Sequence, residues 1–470
     1  MKHTSRRSLL AGNSPSVPVQ TGMIASAAIL AAPYVSRGGP SPNSKLNIAS
    51  IGAGGKGAGD RKLAEKEGNN IVAVCDVDAR RVAAALKDHP GAKPFADFRK
   101  MLDEMGKGID AVIVSTPDHT HFSAAMVAIQ MGKHVCVQKP LTNTIWEARE
   151  LHKAAKKAGV VTQMGNQGAT GEDRRRIQEW VAQGAIGKLK EIRIWTDRPI
   201  WPQGALKKFS PPIPADLNWD AWLGQVPPMP YFEYHDAEGK KGELHPFKWR
   251  GWWEFGSGAL GDIGCHSIDA SFRVLGGRFP TLVEAQSAPV SEEIAPAWST
   301  ILYHFPEAGG QPAITLTWQD GRFINGQQNR PDRHPALDEM SEKDWRAAKN
   351  SQLIIGSDAV ILGGTIYPKA RREDVRKAME SGQIKQTIPR STHPGEPQQE
   401  WAHAIKNGLQ TSSNFDHAAP LTECVLLGNL AIRSGKSIEY DREKMTVTNA
   451  PEANRFVRRP AVREGWDFRA

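Results

Sequence analysis

Between Lys45 and Asn166, short apolar runs alternate with longer polar stretches whose apolar residues recur at helical spacing. Leu46–Ile51, Ile71–Cys75, Ile109–Val114, His134–Val137 and Val160–Met164 read as strands. Ala79–Lys87, Phe95–Met105, Phe122–Met131 and Ile145–Ala158 read as the helices between them. The run Ala111–Val114 carries no polar residue, as a parallel strand covered on both faces requires. Thr144 and Glu147 stand three apart ahead of an apolar run, which predicts a capping box opening the last helix. Strand and helix alternating through short turns predict a doubly wound parallel sheet.

After Asn166 the rhythm changes. A helix, Asp173–Gln183, and a strand, Lys188–Thr196, lead into a Pro- and Trp-rich stretch over residues 197–257. Strand-like segments then recur at Thr281–Ala288, Ser299–Phe305, Ala313–Gln319, Gln352–Gly356 and Ala359–Leu362, several of them separated by hairpin-type turns. They predict a large, open, mostly antiparallel sheet, with helices near Glu396–Asn407 and Leu421–Ser434 packed on it or returning to the first domain. An apolar open face of such a sheet would call for a homo-oligomer. The expected division is a leader and linker over 1–44, a nucleotide-binding domain over 45–166, an α+β domain over 167–450 and an irregular tail over 451–470.

The connection between the first two strands carries chemistry. Gly52-Ala53-Gly54-Gly55-Lys56-Gly57 follows the first strand, a helix-compatible segment comes next, and the second strand ends at Asp76. Strand, glycine turn, helix, strand and acid is the order of a dinucleotide-binding βαβ unit, which makes the parallel sheet a Rossmann fold. Gly52 permits the tight turn, Gly54 lets the backbone approach a pyrophosphate, and Gly57 lets the helix lie against the strand. Asp76, nineteen residues beyond Gly57, is placed to accept hydrogen bonds from an adenosine ribose. A carboxylate there repels a 2′-phosphate and puts NAD ahead of NADP, although Arg80 and Arg81 blunt that preference.

Composition adjusts this picture at the chain's ends. The net charge of +9 is spread over 470 residues in short clusters, so no nucleic-acid footprint stands out. The four cysteines, Cys75, Cys136, Cys265 and Cys424, lie far apart in apolar runs, with neither a disulfide framework nor a zinc-ligand spacing. Thr4-Ser5-Arg6-Arg7-Ser8-Leu9-Leu10 and the short apolar run Met23–Ala32 resemble a twin-arginine export signal, too short for a stable membrane span. The insert Gly12–Gly22 is longer than usual for such a signal. Export in the folded state through the twin-arginine machinery would let a cofactor loaded in the cytoplasm travel inside the protein to the periplasm.

Two further stretches supply reactive groups. Strand His134–Val137 runs into Gln138-Lys139-Pro140, placing a lysine at the carboxyl edge of the sheet, where ligands bind. In Gly258-Ala259-Leu260-Gly261-Asp262-Ile263-Gly264-Cys265-His266, glycines open a helix read over Asp262–Leu275. Asp262 and His266, at i and i+4, share one face of it. A carboxylate beside an imidazole orients it and raises its basicity. The glycine turn, Thr116-Pro117-Asp118-His119-Thr120-His121, residues 138–168 and this last motif together resemble the Gfo/Idh/MocA oxidoreductases, and most of all their exported planctomycete- and Bacteroidetes-type branch.

The resemblance implies a nicotinamide cofactor and a sugar, polyol or glycoside substrate. It places catalysis on Lys139, Asp262 and His266, with a cis bond before Pro140. Thr116, Pro117, His121, Gln138 and Lys139 join Gly52, Gly54, Gly55, Lys56, Gly57 and Asp76 as expected cofactor contacts. Asn166, Trp252 and Trp253 join the catalytic three as substrate contacts. Many relatives have Glu where this chain has Gln138, so Lys139 is expected to lose its proton more readily here. Aromatic faces stack on pyranose rings, and seven tryptophans fall between Trp195 and Trp253; most are expected to be packing. No metal is expected. Besides a dehydrogenase, the residues allow an NAD-dependent glycoside hydrolase or lyase working through transient ring oxidation, or a non-catalytic sugar-binding module.

Overall fold

The computed structural model describes residues 45–468, so the export signal read in residues 1–44 lies outside the described residues. Six strands, β1 (Asn47–Ile51), β2 (Asn70–Cys75), β3 (Lys93–Phe95), β4 (Ala111–Val114), β5 (His134–Val137) and β6 (Thr162–Met164), form one all-parallel sheet. Their order, β3-β2-β1-β4-β5-β6, reverses direction between β1 and β4 and opens a crevice there. The crossovers carry α1 (Lys56–Glu65), α2 (Ala79–Asp88), α3 (Phe98–Met105), α4 (Asp118–Gln130) and α5 (Ile145–Ala158). All four residues of β4 are buried, and Thr144 and Glu147 close the expected capping box on α5.

The second domain begins with α6 (Glu172–Ala182) and β7 (Leu189–Trp195). A small sheet of β8 (Lys207–Phe209), β9 (Glu233–His235) and β10 (Lys241–Gly242) follows, with α7 (Trp219–Leu223) in the same stretch. Trp219, Trp222, Trp249 and Trp252 pack there with Tyr231, Phe232, Tyr234 and Phe255 into a satellite core. Next come α8 (Gly258–Ser267) and α9 (Asp269–Val274), then β11 (Leu282–Ser287), β12 (Trp298–Phe305), β13 (Ile314–Gly321), α10 (Glu342–Ala347), β14 (Ser351–Gly356), β15 (Val360–Leu362) and β16 (Thr365–Tyr367). After α11 (Lys369–Glu380), α12 (Pro397–Asn407) and α13 (Phe415–Ser434), two short strands finish the sheet, β17 (Ile438–Asp441) and β18 (Thr446–Val447).

The large sheet has nine strands, ordered β16-β15-β14-β7-β13-β12-β11-β17-β18, and only β7–β13 is parallel. Residues alternate along β12: Ser299, Ile301, Tyr303 and Phe305 are buried, and the Tyr303 hydroxyl donates to the Val425 carbonyl of α13 at 3.1 Å. The opposite face mixes Thr300, Thr315, Thr317 and Gln319 and the ion pairs Arg193–Glu191 and His304–Glu284 with the apolar Trp195, Trp298, Leu302, Leu353 and Ile355.

Two helices start earlier than the apolar periodicity suggests. α4 begins at Asp118, four residues ahead of the apolar run, because the polar residues of its first turn are themselves buried. α13 begins at Phe415, capped by the Asn414 side chain, and runs through Pro420. A proline there forfeits one helical hydrogen bond, which burial of most of the helix outweighs. The tail is not irregular throughout. Residues Pro451–Phe456 form a 3₁₀ turn, and the chain then returns to the first domain.

Candidate active site

The glycine turn is held by backbone contacts. Gly52 has φ +89°, and a Cβ there would lie 2.4 Å from the Ser115 carbonyl oxygen. A Cβ on Gly57 would come within 2.0 Å of the Gly52 carbonyl oxygen. Neither neighbour can swing aside, so both positions need glycine. Gly54 faces the guanidinium of Arg81 instead. Gly55 precedes α1 without a side-chain cap, and the first turn of α1 holds no acid. The helix's positive end and its free N–H groups are thus available to an anion.

A cavity of about 430 Å³ starts at this turn and reaches Lys139 and His266. Asp76 borders it and braces the turn: its Oδ2 accepts the Ala53 N–H at 2.7 Å and its Oδ1 the Asp78 N–H at 3.0 Å. Each oxygen keeps a second lone pair for a ribose hydroxyl. Four other lining residues have buried polar atoms without a hydrogen-bond partner: Arg81 through Nε, Thr116 through Oγ1, Trp222 through Nε1 and His245 through Nδ1. For Arg81 Nε, a carboxylate oxygen of Asp78 stands off at 3.5 Å. Orphaned donors beside an uncapped helix end fit an anionic dinucleotide.

At the far end the lysine meets the aspartate. Lys139, after β5 and before a cis Pro140, donates from Nζ to Asp262 Oδ1 at 2.8 Å and to the Asp262 carbonyl at 2.9 Å. Arg250 also donates, from Nε to the same Oδ1 at 3.0 Å. Its guanidinium packs over the rings of Phe247 and Trp249, 4.2 and 4.3 Å from their centroids. Burial pushes the Asp262 carboxyl up, but the two cations overrule it and bring it down to about 2. Arg250 lines the cavity, and it escaped notice in the sequence because nothing in an aperiodic loop ties it to Asp262.

His266 sits one turn after Asp262 and lines the cavity. Asp262 makes no close contact with the His266 ring, although its charge works to raise the imidazole. Among the described residues no carboxylate oxygen lies within 4.0 Å of the His266 ring, because Asp262 is turned to Lys139 and Arg250. Burial, reinforced by the Lys139 ammonium, pushes His266 down to about 3, so its basicity is lowered rather than raised. The imidazole is neutral at pH 7. The helix carrying both residues opens at Gly258 rather than Asp262. A Cβ on Gly261 would sit 2.1 Å from Ser257 Oγ, and one on Gly264 2.9 Å from Val425 of α13.

The first turn of α4 ties the cavity wall to the second domain. His119 places Nε2 2.8 Å from the Trp222 carbonyl and Nδ1 3.3 Å from that of Phe255. His121 is buried with its nitrogens at 2.8 Å from the Pro140 carbonyl and 2.9 Å from that of Thr116. His121 does not line the cavity; it links Thr116, which does, to the Pro140 carbonyl. Asp118 accepts from Ser257 Oγ at 2.6 Å and is raised to about 7 by burial, the Asp262 carboxylate adding to the rise. A carboxyl raised on folding loses stability for the fold as pH climbs from its unfolded value, about 4, through 7. Asp118→Asn keeps an acceptor for Ser257, so its melting temperature relative to the parent should rise by about 2 °C or more between pH 5 and pH 8. Parallel melting curves over that range would refute the assignment.

Gln138 answers a neighbour the sequence did not reveal. Its Nε2 donates at 2.9 Å to Oδ2 of Asp60, a fully buried carboxylate that also accepts from Ser115 Oγ at 2.7 Å and pairs with Lys56. A glutamate at 138 would set two carboxylates against each other. The amide of Gln138 thus suits a site that already holds the Asp60 carboxylate.

Other expected contacts are displaced. Trp252 and Trp253 are 2% and 5% exposed, packed into two cores, and neither lines the cavity. Asn166 is buried, donating to the Cys265 carbonyl at 3.3 Å. Phe98, Trp222, Phe247, Trp249 and, from the tail, Trp466 do line the cavity. Trp466 packs edge-on against Phe98 at 5.7 Å beneath the guanidinium of Arg99.

A Rossmann domain whose glycine turn opens onto a buried lysine–carboxylate pair, closed by a second sheet domain, defines a nucleotide-dependent oxidoreductase architecture. Residues 46–166 match the NAD-binding Rossmann domain of this oxidoreductase family, and residues 180–328 match its C-terminal α/β domain. The chain belongs to the Gfo/Idh/MocA oxidoreductase family. It is 28% identical over 244 residues to the D-glucoside 3-dehydrogenase of Escherichia coli K12, covering 51% of this chain and 56% of that one. It is 30% identical over 128 residues to the 1,5-anhydro-D-fructose reductase of Ensifer adhaerens, covering 27% and 38%. The chain thus spans about half or less of the length of these curated relatives. Levoglucosan dehydrogenase, solved with NADH and levoglucosan, shares the fold at TM-score 0.53 and 18% identity, over 84% of this chain and 99% of that one.

Proposed function

We propose that this protein is a dehydrogenase that moves hydride between a nicotinamide cofactor and a ring hydroxyl of a sugar or glycoside. The observation that carries the reading is one cavity running from the glycine turn to the Lys139–Asp262 pair and His266. Gly54, Gly55, Lys56 and Arg81 would hold the pyrophosphate, Asp76 the adenosine ribose, and Thr116 and Pro117 the nicotinamide end. The cofactor, when bound, supplies the hydride acceptor.

The protein's own groups do the rest. Lys139 Nζ donates to the reacting oxygen and stabilises the negative charge that develops there as the C–H bond weakens. His266, neutral at working pH, accepts the hydroxyl proton. Asp262, clamped between Lys139 and Arg250, fixes the lysine's direction. Phe247 and Trp249 offer ring faces to the C–H side of a pyranose, and Arg250 and Gln167 offer donors to its hydroxyls. Export through the twin-arginine route to the periplasm, as part of the exported branch, rests on residues 1–44. Among the described residues no helix is long and apolar enough to cross a membrane.

The test is incubation of purified protein with NAD⁺ or NADP⁺ and a panel of free sugars, inositols and glycosides. A keto-sugar product formed one-for-one with reduced cofactor is the expected result. Release of aglycone with no net change in cofactor would instead mean elimination chemistry at the same site.

A further inference from the structure

We propose that Glu67, His393 and His403 form a divalent transition-metal site, suited to zinc, that clips α12 to the nucleotide-binding domain. Glu67 lies in the turn after α1, His393 in the loop before α12, and His403 within α12. None of the three lines the cofactor cavity. His393 Nε2 is 3.1 Å from one Glu67 carboxylate oxygen, and His403 Nδ1 is 3.5 Å from the other. One ligand atom from each residue can be chosen so that all three lie within 4.8 Å of one another. Donor atoms on a tetrahedral zinc, bound at about 2.0–2.2 Å, stand about 3.3–3.5 Å apart, so each imidazole already stands near that spacing from one of the two Glu67 oxygens, and a small side-chain adjustment closes the set on an ion.

The surroundings suit a metal. Thr392 Oγ1 lies 2.8 Å from His393 Nδ1, the contact that would take the proton there and leave Nε2 as the ligand atom. Gln399 Nε2 donates to the Glu67 carboxylate at 3.0 Å, while its own Oε1 is buried without a partner and could accept from a metal-bound water. Among the described residues no lysine or arginine nitrogen lies within 4.0 Å of the Glu67 carboxylate. Lys406 donates to the Glu67 main-chain carbonyl instead. With Glu67 and His393 17% and 13% exposed in their side chains and His403 33%, the cluster is reachable from solvent and leaves a fourth position for water. Nothing in the sequence announces it, because Glu67 is far from a histidine pair whose spacing of ten fits no metal motif.

The experiment uses the full chain without a histidine tag, dialysed against a chelator and titrated with ZnCl₂ by calorimetry and by thermal melting. One zinc per chain, with the melting temperature raised by about 2 °C or more, is expected. His393→Ala, His403→Gln and Glu67→Gln should each weaken zinc binding at least tenfold while leaving NAD(P) affinity unchanged, which separates this site from the cofactor cavity. Cobalt(II) in place of zinc should give the visible bands of a four-coordinate ion, lost in the same variants. No binding to the parent chain would overturn the proposal and leave a contact between the Glu67 carboxylate and two histidine rings. Binding that survives all three substitutions would overturn it equally.

Discussion

Lys139→Met is expected to lower kcat/KM for the sugar substrate about a thousandfold, roughly 4 kcal/mol of transition-state stabilisation, while NAD(P) affinity stays within about threefold. Methionine keeps the stem's length and removes the one donor placed to meet the reacting oxygen. The stability of the variant is the discriminating part. Stranding a buried charge costs roughly 3–5 kcal/mol, yet Asp262 would not be stranded here. Arg250 remains at 3.0 Å on the same carboxylate oxygen, with its guanidinium held between Phe247 and Trp249. Urea unfolding should therefore show a loss well below that range. Steady-state kinetics beside a cofactor titration settle the point. A variant with near-parent kcat/KM, or one that no longer binds NAD(P), would remove Lys139 from the role given to it.

The contrast between Lys139 and Arg250 shows what the sequence could disclose. Lys139 announces itself because a buried strand ends on it and a proline follows. Arg250 touches the same carboxylate from an aperiodic loop, and no local pattern connects it to Asp262. The parallel sheet was legible for the same reason as Lys139: apolar runs of strand length recur between amphipathic helices, and Gly52 and Gly57 occupy turns no other residue fits. The start of α4 was missed because Asp118, His119, Thr120 and His121 are polar yet buried, and hydrophobic periodicity is blind to buried polar residues that find partners on another domain. Trp252 and Trp253 stand just ahead of the Gly258–His266 motif in the chain. Adjacent aromatic residues in a loop carry no phase, and here both point into packing while Trp222 and Trp249 border the cavity. His266 lines the cavity, and the i, i+4 spacing to Asp262 says nothing of the burial and the Lys139 ammonium that lower it. Spacing gives the helix face; it does not say which neighbour a carboxylate will prefer.

Trp466→Ala is expected to raise the NAD(P) dissociation constant at least tenfold, mainly through faster release, with kcat at saturating cofactor changed less than about threefold. Trp466 is 3% exposed and is the tail's contribution to the cavity wall, close to Phe98 and on the side bordered by Asp76. The chain reaches it along a strap of specific contacts. The Val457 carbonyl accepts from the Trp146 N–H at 3.0 Å, Arg459 pairs with Glu254 at 2.8 Å, and the Arg463 N–H donates to the Gln225 carbonyl at 3.1 Å. Arg99 then clasps the turn, donating to the Gly465 carbonyl at 3.3 Å with its guanidinium 3.9 Å from the indole. A strap anchored at several points across both domains makes this stretch of the cavity wall firm, which is why its loss is expected to act on cofactor release. Removing the indole opens that wall and leaves Lys139, Asp262 and His266 in place. Trp466→Phe, which restores a ring against Phe98, should recover most of the affinity. Stopped-flow displacement of bound NADH measures the release rate directly. Equal release rates for the parent and the alanine variant would show that the tail packs on the domain without gating the cofactor.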